Sequence, residues 1–526
     1  MPALGVQFYT PSGHHWLGGD RLVFQPVRYS HRAQGGPEAA EIAVRGDREA
    51  LFGLLGLLGS EGRLLNPEGD PVWWGFVESL DLHVGAVSFG VSLEPMANAI
   101  KVTYAEGGQY YETDWALDAD SVATYGRKEA LVSLGEMPAE LATGWQAVLL
   151  AQSGAPVPTV QSLGGGGGSP TEATMHLRGW YDTLSWRYYQ DLRGQEANLG
   201  ASNMGHALGE GTGITRLAQS FQIAASTAWS ASSVAIVAQQ VTDADGVGPT
   251  DLLVLEVCAD NAGAPGTVLA TVSVAGSALG TSPAWQEFTL PTPLALQPAT
   301  TYWLQVSRSG ANDATYYYRV QVDTSGSYPR GAGFRYQTDT WYDLLAPGDL
   351  IFAVQGTLET TQQVADCVAA AGEPGPSGGR LAGARILDAS GAQSVPYRDG
   401  RTTSRDVVEA LLEAGTAAGR RLLCRVDDAR YLEVYAEPAY APTYQLTADG
   451  RLWHYLLGAP LDYWCPAGEW VTLKDVLPLP HSISPSAGRR LDRFFIERAE
   501  YDVKNHALTF QPRGATPWTL RGTDNR

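Results

Sequence analysis

Residues 73–84 read WWGFVESLDLHV, and after a glycine turn at Gly85 the chain continues Val87-Ser88-Phe89-Gly90-Val91-Ser92-Leu93. Both runs alternate in character, which predicts a hairpin with one buried face. Glu94-Pro95-Met96 then makes a short turn before a further strand-like run that ends at Tyr104. The scheme recurs near the far end. There Phe494-Phe495-Ile496-Glu497-Arg498-Ala499-Glu500-Tyr501-Asp502 is followed by a turn at Lys504-Asn505 and by Leu508-Thr509-Phe510. In each case an aromatic pair opens a strand, a turn follows, and a strand returns. The two stretches read as copies of one β module at the two ends of a single folding unit.

The chain that carries these stretches has 526 residues, enough for three or four domains. Its 60 glycines and 31 prolines fall mostly between strand-like runs, which favours β architecture with many turns. The formal net charge of −20 excludes a general nucleic-acid binder, because phosphate contacts need Lys and Arg. Acidity suits a cation-rich partner, or a channel wall to which DNA must not stick. Cys258, Cys367, Cys424 and Cys465 form no CxxC pair and read as free, packed thiols. No basic segment followed by an apolar run opens the chain, and the longest apolar stretch, residues 51–59, is too short to span a bilayer.

Taken in order, residues 1–105 read as strands with one short helix, capped by Asp47 and stopped at Gly59. In residues 106–190, Asp118 is cap-like, Tyr125-Gly126-Arg127-Lys128-Glu129 makes a tight turn, and residues 138–153 place Leu141, Trp145, Val148 and Leu149 at helical spacing. Gly164–Gly168 reads as a loop tip. Residues 191–212 show no periodicity and read as a linker. Strand-like runs at regular turn spacing then fill 213–358, the pattern of a jelly-roll-like β-sandwich. From 359 to 440 short helices return, with Ser404 as N-cap and Gly419 as C-cap of one of them, and 441–526 is again β-rich. The expected fold is therefore mainly β with some α+β. It has two small terminal β-barrels, a split αβ layer shared by helices 138–153 and 404–418, and an inserted sandwich.

The order WWGFVESL (73–80), SLEPMANAIKVTY (92–104), DADSVATYGRKE (118–129) and RGWYDTLSWRYY (178–189) resembles minor tail, or baseplate-hub, proteins of long-tailed bacteriophages and prophages. PYRDGRTTSRDVVEALLEAGTAAGRRLL (396–423), LEVYAEP (432–438) and FFIERAEYD (494–502) continue the likeness. It covers about residues 1–190 and 360–520, and its most specific part is Tyr125-Gly126-Arg127 with Ser121-Val122. The resemblance implies a homotrimeric virion protein made in the host cytoplasm. It would cap the tail tube, contact the tube or distal tail protein, tape measure and fibre proteins, and let DNA pass. The sandwich departs from that pattern. Its AQSFQI (218–223), VCADNAGAPGTVLA (257–270) and TTYWLQV (300–306) resemble modules of surface and carbohydrate-binding proteins, which implies host recognition through a surface glycan.

Catalytic chemistry finds no motif. A Gly-x-Ser-x-Gly elbow is missing, and no Cys/His arrangement has local context. A tail-associated cell-wall hydrolase is thus the weaker alternative to an adhesin, and no cofactor is expected. His14 and His15 are adjacent, so on a strand they point to opposite faces and do not converge on a metal. Asp243-Ala244-Asp245-Gly246 opens like a calcium loop but lacks the later ligands, and an Asp-Gly turn explains it. The candidate ligand residues are the aromatics Trp303, Tyr317, Trp341 and Tyr342, whose rings can stack on a sugar, with Asp339 to bond hydroxyls. The competing role for those rings is core packing.

Overall fold

The structure, a computed structural model, describes residues 4–10, 13–16, 21–85, 87–163, 171–200, 204–344, 348–371, 380–389, 391–394, 400–441, 443–448, 450–474 and 493–514. The glycine run 164–168 lies outside them. The chain is mainly β, with 51% strand and 14% helix. It divides into two compact units, Met1–Tyr189 with Thr360–Gly391 and Arg401–Arg526, and Gln190–Glu359 with Ala392–Gly400.

In the first unit the opening stretch forms the strand Pro71–Val84, and Val87–Ser92 returns beside it after Gly85 at φ 63°. Alternation holds at Leu80 and Leu82, which are buried between half-buried Ser79, Asp81 and His83. It shifts phase at Glu78. There the neighbouring strand Glu172–Arg178 steps from His176 opposite Ser79 to Leu177 opposite Val77, a bulge that makes Glu78 the extra residue. Gly75 admits no side chain, since a Cβ would lie 2.0 Å from the carbonyl oxygen of Arg178. The second hairpin forms from Arg493–Asp502 and Ala507–Gly514. The two ends were read as separate barrels, but they belong to one sheet. The strand Leu22–Arg32 pairs on one side with Gly36–Gly46 and on the other with Arg493–Asp502, register Arg28–Asp502 to Arg32–Arg498. Tyr29 stacks on Tyr501 at 5.5 Å across that seam.

The helices correct another expectation. They are Arg48–Gly53 (α1), Ala119–Tyr125 (α2), Ala139–Ser153 (α3), Thr360–Ala371 (α4) and Ser404–Glu413 (α5). Asp47 and Asp118 cap α1 and α2 as read, accepting from the amides of Ala50 and Ser121. The cap of α5 is Thr403 rather than Ser404, and the helix ends before Gly415 instead of reaching Gly419. Helices α3 and α5 do not share a layer. α3 lies on Ala99–Glu106, which pairs with Glu129–Glu136 and Gln109–Glu112, whereas α5 packs on α4 beside the three-stranded sheet of Gly383–Ile386, Tyr431–Ala436 and Leu422–Val426. Of the residues at helical spacing in α3, Leu149 packs against the core, whereas Leu141, Trp145 and Val148 are exposed. The helix instead turns Ala142 and Gln146 inward, because the small Ala142 lets it approach the strand and the Gln146 amide donates to the carbonyls of Ile100 and Asp114, both at 2.7 Å.

The YGRKE turn is a polar knot. Asn98, fully buried, donates to Ser121 Oγ (3.1 Å) and to the Gly126 carbonyl (2.9 Å) and accepts from the Lys128 amide (2.7 Å). Glu129 pairs with Arg127 at 2.8 Å and Arg187 at 3.0 Å. On the other side of the turn, the Arg380 guanidinium sits 5.3–5.9 Å from the ring centres of Phe76, Trp180 and Trp186 and donates to the carbonyls of Gly59 and Tyr125. These contacts tie residues after 360 to the first half of the chain.

The second unit is two facing antiparallel sheets. One runs Gln195–Asn198, Phe352–Glu359, Trp229–Val241, Tyr317–Asp323, Met204–Leu208, with Ala284–Leu296 also on Trp229–Val241. The other runs Pro265–Ala275, Leu252–Asp260, Tyr302–Arg308, Arg216–Phe221, Gly333–Gln337, Thr340–Asp343. Side chains from both, among them Phe221, Phe288, Tyr318 and Phe352, fill the core between. The expected linker 191–212 is corrected here, since it supplies two of these strands. In the first, Gln195–Asn198, the inward positions are Glu196 and Asn198, both polar and both buried, and in the second, Met204–Leu208, they are His206 and Leu208, so no run of apolar alternation marks them. Glu196 is held by Arg330 at 2.6 Å and by the Tyr328 hydroxyl at 3.1 Å. All four cysteines are buried thiols outside any disulfide.

Two outcomes follow from this packing. Asn98→Ala removes three buried hydrogen bonds and lowers the unfolding free energy by about 3 kcal/mol, readable by denaturant titration. His31, whose Nε2 is 2.9 Å from the Val72 carbonyl, is pulled by desolvation from 6.5 down to about 4. It stays neutral in the fold while the unfolded chain takes up a proton, so its share of stability is intact above pH 6.5 and is lost as pH falls toward 4. His31→Gln flattens that acid slope in a pH series of melting curves.

Candidate functional site

The six-stranded sheet of the second unit has an apolar inner face and an outer face that mixes aromatic and polar residues. Along Tyr302–Arg308, the side chains of Tyr302, Leu304 and Val306 enter the core, which turns Trp303, Gln305 and Ser307 to the other side. Register carries that outer face across the strands. Cys258, Trp303 and Ser220 form one row. Glu256, Gln305, Ala218, Phe334 and Asp343 form the next. Ser307, Arg216, Tyr336 and Trp341 form a third.

The rings meet in pairs. Trp303 lies 5.2 Å from Phe334, and Tyr336 lies 5.0 Å from Trp341, both tilted. The Arg216 guanidinium is 5.3 Å from the Tyr336 ring centre. With Ala218 and Cys258, Trp303 forms a buried patch against which Phe334 and Trp341 pack. The Trp303 indole N–H donates to Asp260 at 2.8 Å, and the Gln305 amide donates to Glu256 at 2.5 Å. Half-buried Phe334, Tyr336 and Trp341 thus lie beside hydrogen-bonding groups of both signs. Such a face offers stacking to a ring with C–H faces and hydrogen bonds to its hydroxyls.

Of the five residues chosen from sequence, Trp303 and Trp341 come together on this face. Trp303 is 2% exposed and serves as its floor. Tyr342 is exposed but stands opposite Arg335, on the other side of its strand from Trp341. Tyr317 is on the other sheet, buried, with Arg319 over its ring at 6.0 Å. Asp339 occupies a tight turn at φ 60°, beside Thr338 at φ 49°. Phe334, Tyr336, Arg216, Glu256, Gln305 and Asp260 were missed. The signal was period-two spacing within each strand, as in Phe334 and Tyr336 or Glu256 and Cys258, but their union needs the register of five strands.

Burial raises the Cys258 thiol to about 11, so this sulfur is not a thiolate nucleophile at neutral pH. Asp243, from the calcium-like stretch, accepts the amides of Asp245 and Val247 and the Tyr316 hydroxyl, which hold its carboxyl below the usual range. Among the described residues no group of three or more His, Cys, Asp or Glu is arranged to hold a metal ion, and no helix is long and apolar enough to cross a membrane.

The first unit has a polar groove of about 290 Å³, lined in part by Arg28, Glu41, Glu78, His176, Arg178 and Arg498. Its cations are matched. Arg28 bonds Glu41 at 2.9 Å, Arg178 bonds Glu78 at 3.0 Å, and Arg498 bonds Glu38 at 2.6 Å. The groove therefore offers no uncommitted cation to a phosphate.

Loss of one ring from each pair separates floor from surface. Trp303→Ala lowers stability by about 3–5 kcal/mol, whereas Tyr336→Ala changes it by about 1 kcal/mol or less, as read from unfolding of the full chain.

No protein-family model matches this chain, and no curated protein matches it. Among solved structures it is similar to a chain from the "Crystal structure of the T13 IBDV viral particle", at 11% identity over 64% of this chain and 76% of that one. The TM-score of 0.16 is too low to carry an argument about fold or function.

Proposed function

We propose that this chain is a non-catalytic attachment and assembly protein of a long-tailed phage tail tip, whose sandwich recognises a surface saccharide. The observation that carries the recognition half is the outward row of Trp303–Phe334 and Tyr336–Trp341 with Arg216, Glu256, Gln305 and Asp260 around it. Aromatic faces stack on sugar rings, and carboxylates, amides and guanidinium groups bond hydroxyls. Support for the tail-tip half comes from the hub-like sequence between residues 73 and 189 and between 396 and 502. In this reading the first unit forms a homotrimer on the tail tube, and its acidic surface lets DNA slide past.

The test is binding of the full chain to purified surface polysaccharide of a susceptible host, by calorimetry. Tyr336→Ala and Trp341→Ala weaken binding at least about fivefold at unchanged solution mass, taking the about 1–3 kcal/mol of an aromatic ring stacked on a base as the scale. No binding by the wild type, or equal binding by both variants, sinks the recognition half. The assembly half predicts tails that still form, but adsorb poorly, when residues 190–359 are deleted.

A further inference from the structure

The outer face of the six-stranded sheet carries a sign as well as rings. Thr271 pairs with Glu256, so the middle row runs Thr271, Glu256, Gln305, Ala218, Phe334, Asp343. That row holds two carboxylates and no cation. The row of Cys258, Trp303 and Ser220 holds neither, and Asp260 stands just beyond it with the Trp303 indole N–H on its carboxylate. Arg216, in the third row, has its guanidinium over the Tyr336 ring at 5.3 Å. Glu256 is the unusual member. It is half-buried, and the Gln305 amide donates to one of its oxygens at 2.5 Å. Among the described residues no Lys, Arg or His pairs with it. Other half-buried glutamates of this chain are matched, Glu61 with Arg63, Glu129 with Arg187 and Glu437 with Arg513. A carboxylate partly withdrawn from water gains most from a counter-charge. Glu256 lacks one, and the open side of the face is where one can arrive.

We infer that the saccharide taken by this face carries free amino groups, and that Glu256 selects for them. This rests on the saccharide reading above and adds to it the charge of the ligand. The rings accept any sugar with an apolar face. Glu256 then sorts among such sugars. An ammonium group donates a charge-assisted hydrogen bond to the oxygen that Gln305 leaves free, and such a bond is stronger than one from a neutral hydroxyl. An N-acetylated amine donates only a neutral bond. A uronate or a phosphate brings a second negative charge beside the first, on a chain already at −20, and is repelled. The spacing also sets a length. Neighbouring strands lie about 4.8 Å apart, so the three strand steps from Glu256 to Phe334 span roughly 14 Å. A ligand that touches both is an oligosaccharide, not a single sugar.

Calorimetry of the full chain with three oligosaccharides of equal length tests this: a glucosamine oligomer with free amines, its N-acetylated form, and an oligouronate. The wild type binds the free-amine oligomer at least about tenfold more tightly than the N-acetylated one, on the scale of a hydrogen bond to a charged group, and binds the uronate most weakly. Added salt shrinks the gap, because a partly exposed ion pair is screened. Glu256→Gln keeps an acceptor for the Gln305 amide and keeps the affinity for the N-acetylated oligomer, but loses the preference at an unchanged melting curve. If that variant does not fold, the wild-type ranking and its salt dependence decide alone. Equal wild-type affinity for the free-amine and N-acetylated forms overturns the inference and leaves the saccharide reading standing, as does a preference retained by folded Glu256→Gln. Binding to none of the three while host polysaccharide still binds overturns it equally. Failure with every saccharide overturns it together with the reading on which it rests.

Discussion

The pairing of Leu22–Arg32 with Arg493–Asp502 is the contact on which the first unit depends. It joins the two ends of the chain into one sheet, and the side chains along it reinforce the register. Glu38 receives Arg498 and the Ser30 hydroxyl and pairs with Arg32, and these cations draw its carboxyl below the usual range although burial opposes them. Tyr29 donates a hydrogen bond from its hydroxyl to the Tyr463 carbonyl and stacks on Tyr501. A seam between residues so far apart in sequence is costly in chain entropy, though the cost grows only slowly with loop length. The interposed residues can then be a separate folded unit without undoing the frame.

Much of this was legible because the opening hairpin alternates. Leu80, Leu82 and Val91 are buried at the spacing that a half-buried strand requires, and Gly85 takes the positive φ of the turn. What the sequence concealed has physical reasons. Glu196 and Asn198 are buried polar residues, so the strand that carries them looks like a linker. Helix α3 was located by its apolar spacing, but spacing identifies a stripe without saying which of its residues the same chain covers, and here that is Leu149 and not Leu141, Trp145 or Val148. The aromatic face of the sandwich was half visible. Trp303 and Trp341 stood out by type, but Phe334 and Tyr336 join them only through strand register, and Tyr317 is carried to the opposite sheet by a pairing that spacing does not encode.

The motif with the most specific likeness to hub proteins proves to be a fastening. Tyr125-Gly126-Arg127 and Ser121 surround Asn98 and Glu129, and Arg380 reaches the same turn from the second half of the chain. Residues that look like a signature are here the polar interior of a junction, where Asn98, Ser121 and Lys128 are hydrogen-bonded and Arg127 pairs with Glu129. A buried network of this kind tolerates little substitution, because any lost partner leaves a desolvated group behind.

The discontinuity of the first unit also sets an order of events on the ribosome. Nearly all of the sandwich is one unbroken stretch, residues 190–359, and it can fold as soon as that stretch has emerged. The frame cannot close then. Residue Arg498 reaches Glu38 across a separation of 460 residues, which is roughly 25–90 s of synthesis at about 5–20 residues per second. For that time one edge of Leu22–Arg32 stands unpaired in a crowded cell. Arg28 and Arg32 lie along it, and charges on an open edge discourage pairing with a stranger. The same arginines meet Glu41 and Glu38 of the neighbouring strand Gly36–Gly46, so the polar edge is in place long before Arg493–Asp502 is made.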